Sequence, residues 1–324
     1  MAYHTIKQRG RKEYHYLVNN LRVGNAWKKI SVYLGTGGLT EKQISKLIKD
    51  KTPALKDKTD NYLRSIDQLY NILPKGKIKE LGLVKLDYQA ALREMRPDEL
   101  ENYEEWFTVE FTYDTNSIEG STLTKAEVSL LLYDNLVPKG KSLGEIYEAT
   151  NHKKAYDFLK RYKGGLTIGF ILKLHSILMA TILEPKYAGH IRSKQVYIRG
   201  ADFVPPKADK VAQMLRALID WHKTSKNRYH PVVLAAYFHE AFEGIHPFID
   251  GNGRTGRLLL NFILLKNGYP AVNIKSREKA DYIAALKSVR SKNYAPLVNL
   301  LTKYLMGNPL AANYRENIKA KGRK

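Results

Sequence analysis

Twelve consecutive residues, His246-Pro247-Phe248-Ile249-Asp250-Gly251-Asn252-Gly253-Arg254-Thr255-Gly256-Arg257, combine the residue types needed to hold a phosphate and activate an attack on it. Gly251 and Gly253 permit tight backbone geometry and leave amide N–H groups free to converge on an anion. Arg254 and Arg257 add two guanidinium forks suited to phosphate oxygens. Asp250 supplies a carboxylate able to hold a divalent cation that bridges phosphates. His246 is the only side chain nearby whose ordinary pKa suits general-base work near neutrality. The bottom-up reading is a phosphate cradle with a base and a metal ligand at its rim. The stretch lacks the Gly-Lys-Ser/Thr ending of a P-loop, which disfavours a Walker-type ATPase. The plainer alternative, a charged turn between two helices, leaves this concentration of chemistry unexplained.

Two helices must position the stretch. Residues 230–245 (HPVVLAAYFHEAFEGI) carry a helical apolar pattern, and LLLNFILLKNG follows from Leu258. The second helix therefore presents its N-terminus to the loop, adding orphan N–H donors and a field that favours anions. Further helical patterns cover 144–162, 166–183 and 207–225. Others start at Asp98 and at Thr124, where Thr124 and Glu127 form a capping box. Residues 14–23 and 28–35 read as two short strands joined at Gly24-Asn25. Residues 40–60 read as a charged helix ending near Pro53, and Pro74-Lys75-Gly76 reads as a break. The fold class is mainly α, with strands confined to a small N-terminal region. An alternating strand–helix series is missing, so a Rossmann architecture is excluded.

The chain of 324 residues is 44% hydrophobic and 27% charged, which predicts a folded protein with a sizeable core. Cysteine is absent, which excludes disulfides, thiolate metal centres and cysteine nucleophiles. That fits a reducing compartment, and the cytoplasm is the expected location. The longest apolar run, residues 258–265, is far too short to cross a membrane, and the first residues lack the apolar core of a signal peptide. The net charge of +22 attracts polyanions. It is unevenly spread: residues 98–127 hold nine acidic residues and one basic residue, an acidic island in a basic protein.

The twelve residues resemble the signature of the Fic-domain family, HPFx[D/E]GNGRxxR, at every fixed position. The resemblance implies a Fic-type helical bundle with a small β-hairpin flap. It also implies transfer of AMP from ATP, with Mg²⁺, to a Ser, Thr or Tyr hydroxyl of a target protein, which includes the enzyme itself, with release of pyrophosphate. Carried over position by position, His246 deprotonates the target hydroxyl, Phe248 anchors the loop and Asp250 holds Mg²⁺. Gly251, Asn252 and Gly253 form the anion hole, while Arg254 and Arg257 meet the β- and γ-phosphate regions. Thr115-Asn-Ser-Ile-Glu119-Gly120 resembles the family's inhibitory motif [S/T]xxxE[G/N], which implies that Glu119 pairs with Arg257 and blocks seating of the γ-phosphate. Residues 189–200 resemble the target-pairing flap, with Arg192, Val196 and Ile198 as its candidate residues, and Tyr282 falls where an aromatic often lies near adenine. The implied domains are a basic N-terminal region (1–95), a catalytic domain (96–310) and a basic tail (311–324).

Two alternatives stay open. Removal of AMP from a modified protein would use the same cradle, with Glu119 positioning water. The N-terminal region, with seven basic residues between Lys7 and Lys29, could instead be a nucleic-acid-binding module, although no known motif accompanies it. Either a monomer or a homodimer is compatible with the sequence. His239-Glu240 superficially suggests a zinc helix, but Glu243 stands where HExxH needs histidine, so a packing or loop-supporting role is expected for His239. The histidines at 4, 15, 152, 175, 190, 222 and 230 show no ligand spacing.

Overall fold

The computed structural model describes residues 2–23, 26–198, 203–290 and 293–321. The chain divides into two units, Met1–Asn71 and Ile72–Lys324. The sequence reading sets this division later, at 95/96.

The first unit is an antiparallel sheet in the order β1 (Ala2–Arg9), β2 (Lys12–Val23), β3 (Ala26–Thr36), followed by α1 (Glu41–Ile66). Alternation along β2 and β3 buries Leu17, Ile30 and Leu34, and α1 closes over them with Leu55, Leu47, Ile48 and Tyr62. Residues 48, 55 and 62 are spaced by two helical turns, so they share one face of α1. Two expectations need correction. The sheet has three strands, because the largely exposed first strand carries little hydrophobic alternation to betray it. Helix α1 also runs on through Pro53, with the Thr52 hydroxyl donating to the Ile48 carbonyl at 2.6 Å beside the interruption. The expected turn at Gly24-Asn25 lies outside the described residues.

The second unit is helical: α2 (Lys75–Glu94), α3 (Pro97–Glu119), α4 (Lys125–Tyr133), α5 (Leu143–Arg161), α6 (Ile168–Leu178), α7 (Ala208–Ser225), α8 (Pro231–Ile245), α9 (Asn252–Lys266), α10 (Lys279–Arg290), α11 (Ala295–Met306) and α12 (Pro309–Lys321). Pro74 precedes the first turn of α2, so the expected break is a helix start, a position proline tolerates because no N–H is needed there. Residues expected as a tail belong to α12, whose Arg315 pairs with Asp87 of α2 at 2.6 Å. Thr124 and Glu127 make the expected reciprocal cap.

Helix α9 is buried almost all round, from Arg254 to Leu264, as befits a central helix. Helices α3, α5, α6 and α8 pack against it. The chemistry-bearing loop is therefore the connection between one core helix and the most buried one. Among the described residues, no helix is long and apolar enough to cross a membrane.

Candidate nucleotide site

Helix α8 ends at His246, whose backbone is left-handed (φ 50°, ψ 62°) and whose N–H still reaches Phe242 O at 3.0 Å. That conformation is costly for a residue with a Cβ and turns the chain sharply into the loop. Asn252 then closes the loop from inside. Its side chain accepts from the Phe248 N–H and donates to the Phe248 carbonyl, both at 2.9 Å. Gly251 caps α9 at φ 74°, and a Cβ there would lie 2.5 Å from Met179 Sδ. Only glycine fits without displacing Met179.

Phe248 is fully buried and stacks on His175 with ring centroids 3.6 Å apart. His175 Nε2 donates to the Asp250 carbonyl at 3.0 Å, while its Nδ1 accepts from the Gly189 N–H at 2.8 Å. One neutral tautomer satisfies both bonds, so His175 is a strut under the loop. Residue spacing alone gives it no role. Its signal was position: it shares the buried face of α6 with Ile171, Leu174 and Leu178, where a polar ring needs a reason.

Burial lowers the pKa of His175 to about 4, with Arg254 contributing in the same direction. Burial likewise depresses His230 to about 4 and His152 and His239 to about 3. Each is neutral when folded and titrates near 6.5 when unfolded. Protonation therefore favours the unfolded chain, so this stability is present above pH ~6.5 and drains away toward pH ~3–4. Thermal melts from neutral to acidic pH should show a falling midpoint across that window. His175→Gln, which keeps an amide donor, should flatten the fall; an unchanged slope would refute the assignment.

Arg192 departs from expectation. It is buried, its backbone N–H donates to Pro247 O at 2.9 Å, and its Nε donates to His246 O at 2.8 Å. Its remaining nitrogens donate to the carbonyls of Lys194 and Pro206. Buried in this way, it clamps the loop to the segment that follows α6. Val196 and Ile198 lie in that segment, which forms no strand among the described residues; 199 and 200, and the continuation at 201 and 202, lie outside them. Ile198 lines the site cavity.

Arg254 is buried and pairs with Glu148 of α5 at 2.8 Å, with Asp250 at 3.8 Å. Arg257 is buried too, and the end of α3 supplies it with three hydrogen bonds. Its Nε donates to Thr115 Oγ1 at 2.7 Å, and its Nη2 donates to Thr115 O at 3.1 Å and to Glu119 Oε1 at 2.6 Å. Gly120 then takes a left-handed conformation (φ 110°) that caps α3 and stops the helix just after Glu119. The acidic segment is thus a helix end, held in place by its own anchors. Asp114 accepts from Asn273 Nδ2, Ser276 N and Ser276 Oγ at 2.6, 2.8 and 2.9 Å, and Lys279 Nζ donates to the Ile118 carbonyl. Neither anchor was legible beforehand, since the partners are more than 150 residues apart in sequence.

Glu119 Oε1 also abuts Gly253: a Cβ on that glycine would lie 2.5 Å away. The carboxylate occupies the space over the first turn of α9, where an anion would otherwise meet backbone N–H groups. Burial pushes the Glu119 carboxyl up, but Arg257 more than offsets it and holds the group below its ordinary range. Burial lowers His246, as does the Arg192 charge, against opposing pulls from the Glu243 backbone and Asp250. His246 is therefore neutral at pH 7 and able to accept a proton.

A cavity of about 260 Å³ joins these groups, lined by Glu119, His246, Gly253, Arg257, Ile198 and Tyr282 among others. Tyr282 is buried, with its hydroxyl 2.6 Å from His239 Nε2 and its ring 6.0 Å from the Arg257 guanidinium. His239 supports the site from behind, and no cluster of three metal-ligating side chains occurs among the described residues. A larger groove of about 680 Å³ between α3 and α5 contains none of these groups.

Residues 165–264 match the sequence model of the Fic/DOC family. Protein adenylyltransferase fic-1 of Caenorhabditis elegans is 32% identical over 200 residues, covering 60% of this chain and 39% of the relative. Among solved structures, a Fic-domain-containing signaling protein from Bacteroides thetaiotaomicron superposes with a TM-score of 0.66 at 26% identity, covering 74% of this chain and 97% of that one. Fic-1 from C. elegans superposes with a TM-score of 0.64 at 26% identity, covering 84% and 78%. The chain spans half the length, or less, of the curated relatives it matches.

Proposed function

Because the chain belongs to the Fic/DOC family through its residues 165–264, we propose that it is a protein adenylyltransferase that moves AMP from ATP to a hydroxyl of a protein, and that Glu119 restrains it. The observation that carries this reading is the occupied Arg257 fork, with Glu119 Oε1 at 2.6 Å and Thr115 on its other nitrogen. A guanidinium able to recognise phosphate oxygens bidentately here has Nη2 engaged by the protein's own carboxylate and Nε by Thr115.

In the released state, the first turn of α9 and Arg254 hold the phosphates, and Arg257 takes the terminal one. His246 receives the proton of the target hydroxyl, and the new P–O bond forms as the bond to pyrophosphate breaks. Mg²⁺, when bound, neutralises charge on the phosphates. Asp250 suits that ion: it is a single half-exposed carboxylate at the cradle's rim, and Mg²⁺ is commonly held by one or two carboxylates with substrate phosphates and water. The segment carrying Val196 and Ile198 borders the cavity and is the proposed seat for the target chain, and Tyr282 the proposed wall for adenine. ATP labelled at the α-phosphate, Mg²⁺ and the Glu119→Gly protein test the reading: label must stay on protein, and label retained only from the γ-phosphate would indicate phosphoryl transfer instead.

Removal of AMP is a second reading favoured by one observation. Glu119 is held ionised in the same cavity as His246 and keeps 36% of its side chain accessible, so it could orient water. Incubation of an AMP-modified protein with the unaltered enzyme separates the directions, since Glu119→Gly should speed transfer and stop removal.

The anchors of α3 give a further expectation. Asp114→Ala should cost about 2–4 kcal/mol, because it strips a buried network including Lys275. By loosening the end of α3 it should also raise basal transfer. A denaturant melt and a labelling assay on one preparation check both, and lost stability with unchanged transfer would mean that Asp114 does not hold the inhibitory turn.

A further inference from the structure

The sheet of the N-terminal unit has a second face that α1 does not cover. Register pairs Tyr3 with Val18 and Ser31, Thr5 with Tyr16 and Tyr33, and Lys7 with Tyr14, so these residues point away from the Leu17–Ile30 core. The contacts agree: Lys7 Nζ lies 5.4 Å from the Tyr16 ring and Lys29 Nζ lies 5.9 Å from the Tyr3 ring. The Tyr16 and Tyr33 rings are 5.6 Å apart, and Asn20 donates to the Tyr3 hydroxyl at 3.2 Å. Val18 at the centre of the face is buried, while its rim is open, with Tyr3 41% and Tyr33 45% exposed. Alternation adds Arg9 and Lys12 to it. Glu13, the one acidic residue between 2 and 36, falls on the opposite face.

We propose that this face docks double-stranded DNA. Four cations with no acidic side chain among them make a surface complementary to a phosphate backbone. Tyrosine hydroxyls and Asn20 supply the hydrogen bonds that fix position on a backbone or read a base edge. A narrow antiparallel sheet fits a major groove about 12 Å wide. The arrangement of the rings separates duplex from single strand. Stacking on unpaired bases needs open ring faces, but Tyr3 and Tyr16 have lysines over theirs and Tyr33 packs between Tyr14 and Tyr16. Along Tyr3, Tyr16 and Tyr33 this face offers ammonium groups and hydroxyl edges, and its one open ring, Trp27 (69% exposed), stands at the start of β3, away from that row. The inference is independent of the nucleotide chemistry proposed above.

Fluorescence anisotropy of the full chain tests it, using a duplex of about 20 base pairs, its single strand, and polyglutamate as competitor, over about 50–200 mM salt. Duplex binding should be tighter than single-strand binding. Lys7→Ala with Lys29→Ala should weaken it about tenfold and make the salt slope shallower by about 2, whereas Lys51→Ala with Lys56→Ala on exposed α1 should change it less than about twofold. On the unaltered protein, duplex should protect Lys7 and Lys29, but not Lys51 and Lys56, from acetylation. Preference for the single strand, unchanged affinity in the first double variant, equal protection of all four lysines, or displacement by polyglutamate as readily as by duplex would each overturn the proposal.

Discussion

Glu119→Gly raises AMP transfer about 5- to 150-fold, the span expected from losing a coupling of 1–3 kcal/mol between an internal ligand and a substrate. The substitution removes the carboxylate from Arg257 Nη2 and from the space over Gly253, while Thr115 stays on the guanidinium. Arg257 remains buried beside Tyr282 and so stays placed for an anion rather than swinging into solvent. The gain should therefore appear largely as tighter or better-seated ATP. Glu119→Gln is the sharper companion. It keeps the shape but not the charge, so its activation should fall between the parent and the glycine variant. Both should label themselves more heavily than the parent when α-labelled ATP is supplied. A glycine variant with unchanged rate and unchanged nucleotide affinity would show that the ion pair is structural only.

The site could be read from the sequence to different depths, for physical reasons. The cradle was legible because its residues are consecutive, and a loop between two strongly patterned helices has few ways to fold. The Glu119–Arg257 pair spans 138 positions; only resemblance to a family pattern connected its halves, and no periodicity could have done so. His175 and Asp114 escaped notice for the same reason, since each acts by bonding to backbone brought close only by packing. The resemblance places Arg192 in a flap but says nothing of its fork, which finds carbonyls of the loop and its neighbouring segment. Pro53 alone predicts the end of α1, but a 26-residue helix with an apolar face on the sheet absorbs one lost bond. Local rules failed where distant partners supplied the compensation.

His246→Ala, made in the Glu119→Gly background so that the parent rate is measurable, should lower transfer about 10²- to 10⁴-fold, the contribution usual for a positioned general base. The structure specifies how that loss divides. His246 sits at the C-terminus of α8, whereas the groups proposed for phosphate belong to the first turn of α9 and to Arg254 and Arg257. ATP affinity should consequently stay within about twofold of the parent, with the loss falling on turnover. The left-handed backbone at 246 adds a control, because alanine is more strained there than glycine. His246→Gly should be at least as stable as His246→Ala and equally inactive, so inactivity cannot be blamed on a collapsed loop. The pH profile should also respond. With burial holding His246 below its ordinary pKa, transfer in the Glu119→Gly enzyme should stay flat through neutral pH and decline only in the acid range. A profile that fell already near pH ~7, together with undiminished turnover in the alanine variant, would remove His246 from the reaction.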